Sequence, residues 1–443
     1  MPNPYLPNWE YIPDGEPRVF GDRFYIYGSH DRADSDYFCD FTLKVWSAPV
    51  DNPNEWICHG DIFRTKDAKD GSHKSDTPWT EGRLFAPDVV EKDGKYYLYA
   101  YIQEARGCVA VSDSPEGPFT LLGQYECDKS EEPDGGIFID PGVLVDDDGR
   151  VYLFGGFLKS FGCELESDMK TVKKGSVVRD IIPDTAPFNF FEACSPRKIN
   201  GKYFMIYSNQ VCSQLVYAVA DKPLGPYEYK GVIIDSGLNY PGGNNHGSLI
   251  EANGEWFIFY HRMTNGTITS RKGCVERVKI TGDTVEQVEP TSQGFEKALN
   301  PFKITPAETV CHLTGNPLLM VSETDIFNRP VCSIVAGDVL GWKYFDFGYA
   351  RKNESENATM RLALNIVPKG HKGRFSVHLD SPDSEPIGQV DFKGDSDVAT
   401  GSVKRVTGRH AVYLKAVDLY DGPWGEAFKG RILTDLRSFV FML

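Results

Sequence analysis

Five stretches of this chain repeat one pattern of apolar and polar positions. "RVFGDRFYIYGS", "VVEKDGKYYLYAY", "LVDDDGRVYLFGG", "KINGKYFMIYS" and "IEANGEWFIFYH" each join an apolar run to a second, aromatic-rich run across a short polar break. Runs of this length and composition predict strands. The breaks, Gly-Asp, Asp-Gly, Asp-Gly, Asn-Gly and Asn-Gly, are the residues that tight hairpins with positive φ require. The second strands begin at Phe24, Tyr96, Val151, Tyr203 and Trp256, at intervals of 72, 55, 52 and 53 residues. Hairpins recurring at such a period predict propeller blades, whereas a two-sheet sandwich would not require the regularity. Between them, "SDSPEGPFTLLG" from Ser112 and "VADKPLGPYEYKG" from Val219 supply outer strands, so five blades of about four strands each fill residues 1–305.

After "ALNPFKITPAET" the repeat stops. Residues 306–443 carry short alternating runs such as "GWKYFDFG", "FSVHLDS" and "HAVYLKAV", which predict a smaller, jelly-roll-like β-sandwich. The expected fold class is therefore all-β, a five-bladed β-propeller followed by a β-sandwich. Composition agrees: aromatics make up 13% of the chain and 43 Gly with 28 Pro favour many turns.

Charge narrows the partners. With 47 basic and 63 acidic residues the formal net charge is -16, which disfavours nucleic acid and anionic membranes. The 10 cysteines form no CxxC pair, so reduced thiols are expected rather than a zinc site or disulfide scaffold. The start "MPNPYLPNWEY" lacks the basic and apolar regions of a signal peptide, and a cytoplasmic protein is expected. Oligomeric state is left open.

In a propeller the innermost strand of each blade lines the central channel, and the residues ahead of it reach the mouth. Those residues are Asp14 in "PDGEP", Asp88 in "APDVV", Asp140 in "IDPGV", Glu192 in "FFEACSP" and His246 in "NNHGS". Four blades deliver an acid and one a histidine. Two carboxylates flanking a sugar ring suffice for glycoside hydrolysis, and a third nearby acid raises the pKa of the proton donor. Trp9, Trp79, Phe85 and Phe191 neighbour these positions and are candidates for stacking on a sugar. A non-catalytic glycan-binding propeller is the rival reading, but it has no need of acids at three blade mouths.

In order, "PDGEPRVFGDRFYIYGS", "FAPDVVEKDGKYYLYA", "IDPGVLVDDDGRVYLFGG", "FEACSPRKINGKYFMIYS" and "NHGSLIEANGEWFIFYHR" resemble the blade motifs of glycoside hydrolase family 43. The resemblance implies an inverting hydrolase with Asp14 as general base, Asp140 tuning and orienting, and Glu192 as general acid. It implies a sugar contact at Arg271 and one calcium ion in the channel that His246 helps hold directly or through water, with no organic cofactor. Phe85 and His246 are candidates for the substrate wall by position, and Asp88, after a proline at a strand start, is a candidate either for a substrate contact or for accepting backbone hydrogen bonds. Phe85 stands where the family has tryptophan, and Glu192-Ala-Cys replaces its Glu-Gly-Pro. The expected activity is removal of terminal α-L-arabinofuranose or β-xylose from plant oligosaccharides, with β-galactoside hydrolysis as the alternative. The C-terminal region resembles carbohydrate-binding module family 6 through "FDFG", "FSVHLDS" and "SFVFM". There Trp424 is the candidate sugar platform, and bracing of the propeller is the favoured role.

Overall fold

The hairpin breaks adopt the turns their residues call for. Asp93–Gly94, Asn200–Gly201 and Asn253–Gly254 each place both central residues at positive φ, from 52° to 76°, which matches the twist of the flanking strands. This is a computed structural model that describes residues 1–33, 35–315, 317–319, 329–349 and 357–443. Among these residues no helix is long and apolar enough to cross a membrane.

Blade I comprises Glu16–Phe20, Arg23–Gly28, Thr42–Pro49 and Ile57–Arg64 in sheet order, and blade II comprises Leu84–Lys92, Lys95–Ile102, Ala105–Ser112 and Thr120–Gln124. Blade III follows with Gly142–Val145, Val151–Gly155, Phe161–Leu165 and Val178–Arg179, and blade IV with Phe190–Ile199, Lys202–Asn209, Gln214–Ala220 and Glu228–Asp235. Blade V differs from the four-strand expectation: it is a sheet of three, Leu249–Ala252, Glu255–Thr264 and Thr267–Val278. Its outer edge is taken by the start of the chain. The Tyr5 N–H donates to the Gly273 carbonyl (3.3 Å), and the Asn3 side chain both donates to and accepts from the Val275 backbone at 2.9 Å. The first residues thus close the ring on the last blade and cover an open edge.

Five separate apolar clusters fill the five blade interfaces. Phe154 and Leu98 are fully buried in two of them, each such side chain contributing roughly 1.5–3 kcal/mol. Most of the aromatics are spent here, as packing between blades.

The channel axis is polar and charge-balanced. The Arg18 guanidinium donates to both oxygens of Asp88 (2.8 and 2.6 Å) and to the Val143 carbonyl (3.0 Å). Arg197 pairs with Glu16 and donates to the Leu249 carbonyl (2.8 Å), while the Ser195 hydroxyl reaches Glu16 at 3.0 Å. Every blade's inner strand contributes to this network. Two guanidiniums offset two carboxylates, which makes the burial of all four tolerable.

Among its described residues the C-terminal region forms one continuous antiparallel sheet of 11 strands that runs from His312–Thr314 through Val339–Asp346 and Arg409–Asp418 to Thr434–Met442 and Leu318–Leu319. It curls around its own core, where Trp342, Phe345, Phe375, Phe439 and Phe441 are buried together. Thr305–Pro306 joins this sheet by pairing with Thr434–Met442.

Candidate active site

At one end of the channel the residues ahead of the inner strands turn inward. Asp14, Ala86, Asp140 and Ala193 all have positive φ (54°, 35°, 47° and 69°), so four blade mouths share a backbone conformation that non-glycine residues seldom adopt. Such strain persists where surrounding structure enforces it, commonly at functional sites. In blade IV the register of Phe190–Ile199 slips on both sides of Glu192. The irregularity re-aims the glutamate toward the channel, as bulges do.

The result is a cavity of about 540 Å³, within the roughly 300–1,000 Å³ of small-ligand sites. Asp14, Asp140, Glu192, His246 and Arg271, with Asn244, supply its polar groups. Phe38, Phe85, Tyr101, Phe157, Phe191 and Ile268 supply most of its wall. An apolar wall with a few convergent charges suits a sugar, whose ring faces are apolar and whose edge is hydroxylated.

Asp14 is held as a carboxylate. Burial pushes its pKa up, but the Arg271 guanidinium 2.8 Å from Oδ1 and the Ser29 hydroxyl at 2.6 Å from Oδ2 overcome this and bring it to about 2. Arg271 is itself clamped by Asp31: Nε and Nη2 donate to its two oxygens at 2.8 and 2.9 Å, and the Arg271 backbone N–H reaches Asp31 at 2.9 Å. Ser29 also accepts the Ala86 N–H (2.8 Å), which ties the base to the mouth of blade II. The Asp14 N–H donates to Nδ1 of His261 (3.2 Å), whose Nε2 faces the Asn244 carbonyl at 2.9 Å. Burial holds His261 neutral, its pKa lowered to about 3, so Nδ1 is the acceptor and Nε2 carries the proton.

Across the cavity the sign reverses. Burial and then the Asp14 charge raise Glu192 from the usual carboxylate range to about 7, against the opposing pull of Arg271 and an Asn244 hydrogen bond. Asp140 is also pushed well up, by burial, by Glu192 and by Asp14. Because Asp14 stays ionised, a proton remains on the Asp140–Glu192 side. His246 Nδ1 stands 4.0 Å from Asp140, and burial lowers its pKa, so it is a neutral polar group there.

Of the residues singled out from sequence, Asp14, Phe85, Asp140, Glu192, His246 and Arg271 meet in this cavity, joined by Phe191. Asp88 does not. Both its oxygens are engaged by Arg18, and the Val89 and Val143 N–H groups also donate to it (2.7 Å each), so its place is in the axis network rather than on substrate. Trp9 packs on Trp46 with ring centres 5.6 Å apart, and neither Trp9 nor Trp79 lines the cavity. The calcium expected at His246 lacks a protein cage. Among the described residues no three His, Cys, Asp or Glu side chains converge as ligands, and the acids deeper in the channel, Glu16 and Asp88, are paired with Arg197 and Arg18. An ion at His246 would therefore take most of its ligands from water, and no chemistry is routed through one.

Sequence reasoning missed Ser29, Asp31, Asn244 and His261. A signal existed for two of them, because Ser29 and His261 occupy the same sixth position of the repeated second strand as the cavity residue Tyr101.

Comparison with known proteins agrees with this geometry. Residues 12–285 match the family model of glycosyl hydrolases family 43. A xylosidase/arabinosidase of Thermoclostridium stercorarium is 41% identical over 358 residues, covering 70% of this chain and 72% of the relative. A β-xylosidase/α-arabinofuranosidase from a compost metagenome, solved with xylotriose in a calcium-free form, is 28% identical with a TM-score of 0.53 and covers 65% of this chain and 98% of its own. An arabinoxylan arabinofuranohydrolase of Bacillus subtilis, solved with cellotetraose, shares the fold over 99% of this chain and 97% of its own, at 23% identity and a TM-score of 0.54. Blade repeat, acid-lined cavity and family match coincide: the chain belongs to glycosyl hydrolases family 43 and is a glycoside hydrolase.

Proposed function

We propose that this enzyme is an inverting exo-glycosidase that removes terminal pentose residues, α-L-arabinofuranose or β-xylose, from plant-derived oligosaccharides. One observation carries the reading: two carboxyls of one cavity are held in opposite protonation states, Asp14 ionised with a pKa of about 2 and Glu192 protonated up to about 7. Between those values one group can take a proton while the other gives one. Asp14 removes a proton from water as the water attacks the anomeric carbon, the glycosidic bond breaks, and Glu192 protonates the departing oxygen. Single displacement inverts the anomeric centre. Asp140 keeps the proton on the acid's side, and Arg271 holds the base ionised while facing the sugar. The apolar walls orient the ring, and the pentose assignment draws on the names of the relatives.

Residues 306–443 are read as a brace that resembles carbohydrate-binding module family 6. Support for the brace comes from Arg262 of blade V, which donates to the Val310 and Glu308 carbonyls at 2.6 and 2.8 Å. The experiment is a panel of aryl arabinofuranosides, xylosides and galactosides with the product anomer followed by NMR. Turnover of a pentoside with inversion is expected. A retained anomer refutes the mechanism, galactoside turnover alone refutes the sugar, and no turnover on any leaves a glycan-binding propeller.

A further inference from the structure

We propose that Arg329, which belongs to the C-terminal region, is a positioning residue for hydrolysis: it holds together the two propeller segments that meet on Asp14. Arg329 is only 2% exposed. Its Nη2 donates to the Tyr11 hydroxyl and to Oδ1 of Asn265 (2.5 Å), and its guanidinium lies 4.9 Å from the centre of the Tyr11 ring. The Asn265 amide also donates to the Tyr11 hydroxyl, at 3.3 Å.

These two residues are not arbitrary parts of the propeller. Tyr11 lies three positions before Asp14, and its carbonyl accepts the N–H of Asp31 (3.0 Å). Asp31 in turn clamps the Arg271 guanidinium that donates to Asp14. Asn265 sits in the tight connection between Glu255–Thr264 and Thr267–Val278, and the second of these strands carries both Arg271 and the cavity residue Ile268. One buried side chain from outside the propeller therefore fastens the segment bearing the base to the hairpin bearing its counter-charge. Blades I and V join at this point, where the ring closes.

Loosening that joint lets Arg271 drift from Asp14, and a carboxylate whose counter-ion recedes binds its proton more tightly. Charged and titratable groups facing Asp14 are Arg271, His261, His246, Asp140 and Glu192. Those around Arg329 are Tyr11, Glu308, Tyr240 and the buried Lys272. The rising, acidic limb of kcat/KM reports the base and should move to higher pH.

The inference rests on Asp14 as the base, so Asp14→Asn is assayed alongside: an active Asp14→Asn would overturn that reading whatever Arg329 does. In the full chain, Arg329→Gln is expected to lower kcat by on the order of 10-fold with KM within about 2-fold, and to raise the acidic limb by about half a pH unit or more. Arg329→Lys, which keeps the charge and one donor, should recover part of both. Tyr11→Phe removes only the hydroxyl and should shift the limb in the same direction by less, which keeps the test decisive if Arg329→Gln does not fold. A lower melting temperature with kcat and the acidic limb of the folded fraction unchanged, or Tyr11→Phe with an unmoved limb, would make Arg329 a structural staple only and overturn the proposal.

Discussion

Replacing Glu192 by Gln removes the proton donor and keeps its shape. With a pKa of about 7, Glu192 is protonated at pH 6 in roughly nine molecules of ten, whereas a carboxyl with the usual pKa of about 4.5 would be protonated in roughly one of thirty. Burial and the Asp14 charge thus supply about thirtyfold more of the active form at that pH. Removing the acid altogether costs the contribution of general acid catalysis, on the order of 10²–10⁴ in rate, when the departing oxygen is a poor leaving group. A dinitrophenolate needs no proton to leave, so Glu192→Gln should keep most of its activity on a dinitrophenyl glycoside. The pH profiles should differ as well. Wild-type kcat/KM on an oligosaccharide should fall as pH rises through about 7, because the acid loses its proton. With the dinitrophenyl substrate Glu192→Gln should show no fall there and retain only the acidic limb, where Asp14 is protonated as pH drops toward about 2. Initial rates by absorbance for the aryl glycoside and by released pentose for the oligosaccharide, from pH 2 to 9, make the comparison. Rescue of Asp14→Asn by the activated substrate, with Glu192→Gln dead on it, would mean that the two carboxylates have exchanged roles.

Three further outcomes follow from the same geometry. Asp31→Asn weakens the clamp on Arg271, so kcat/KM should fall by about 10–100-fold and its acidic limb should rise; an unmoved limb would show that Arg271 is held in place without Asp31. Arg197→Met removes the nearer of the two guanidiniums at the buried Glu16, leaving Arg18 at 3.7 Å, and should cost on the order of 3 kcal/mol of unfolding free energy in urea; a loss under about 1 kcal/mol would mean that Arg18 alone offsets the carboxylate. Trp424, 67% exposed near the packed Tyr420 and Phe428 rings, should be dispensable if the C-terminal region only braces the propeller. Trp424→Ala would then migrate as wild type in affinity electrophoresis with arabinoxylan, and lost retardation would make the region a sugar-binding module.

What could be read from the sequence is what local chemistry determines. The Asp-Gly and Asn-Gly breaks dictate positive φ whatever surrounds them, so hairpins and blade count were visible. The acids of blades I, III and IV were visible because position ahead of an inner strand is itself a location in a propeller. The same rule misplaced Asp88. A register slip between Phe85 and Asp88 sets its side chain in the axis, where Arg18 waits, and a bulge has no mark in the letters "FAPDVV". Asp31 was hidden for a different reason. "SHDRADSD" reads as a solvated charge run, and only the arrival of Arg271, 240 positions later, makes Asp31 a buried clamp.

That separation has a consequence for the chemistry. Asp14 and Asp31 come from blade I, whereas Arg271 and His261 come from blade V, so the charge that keeps the base ionised reaches it only when the first and last blades meet. Asn3 and Tyr5 fasten that junction on the Thr267–Val278 strand itself, along Gly273 and Val275, within four residues of Arg271. An open ring would retain all five hairpins and both carboxyls. It would lose the ion pair that separates their protonation states, and with it the acid–base pair. The catalytic polarity of this site is therefore a property of ring closure, which no local pattern in the chain encodes.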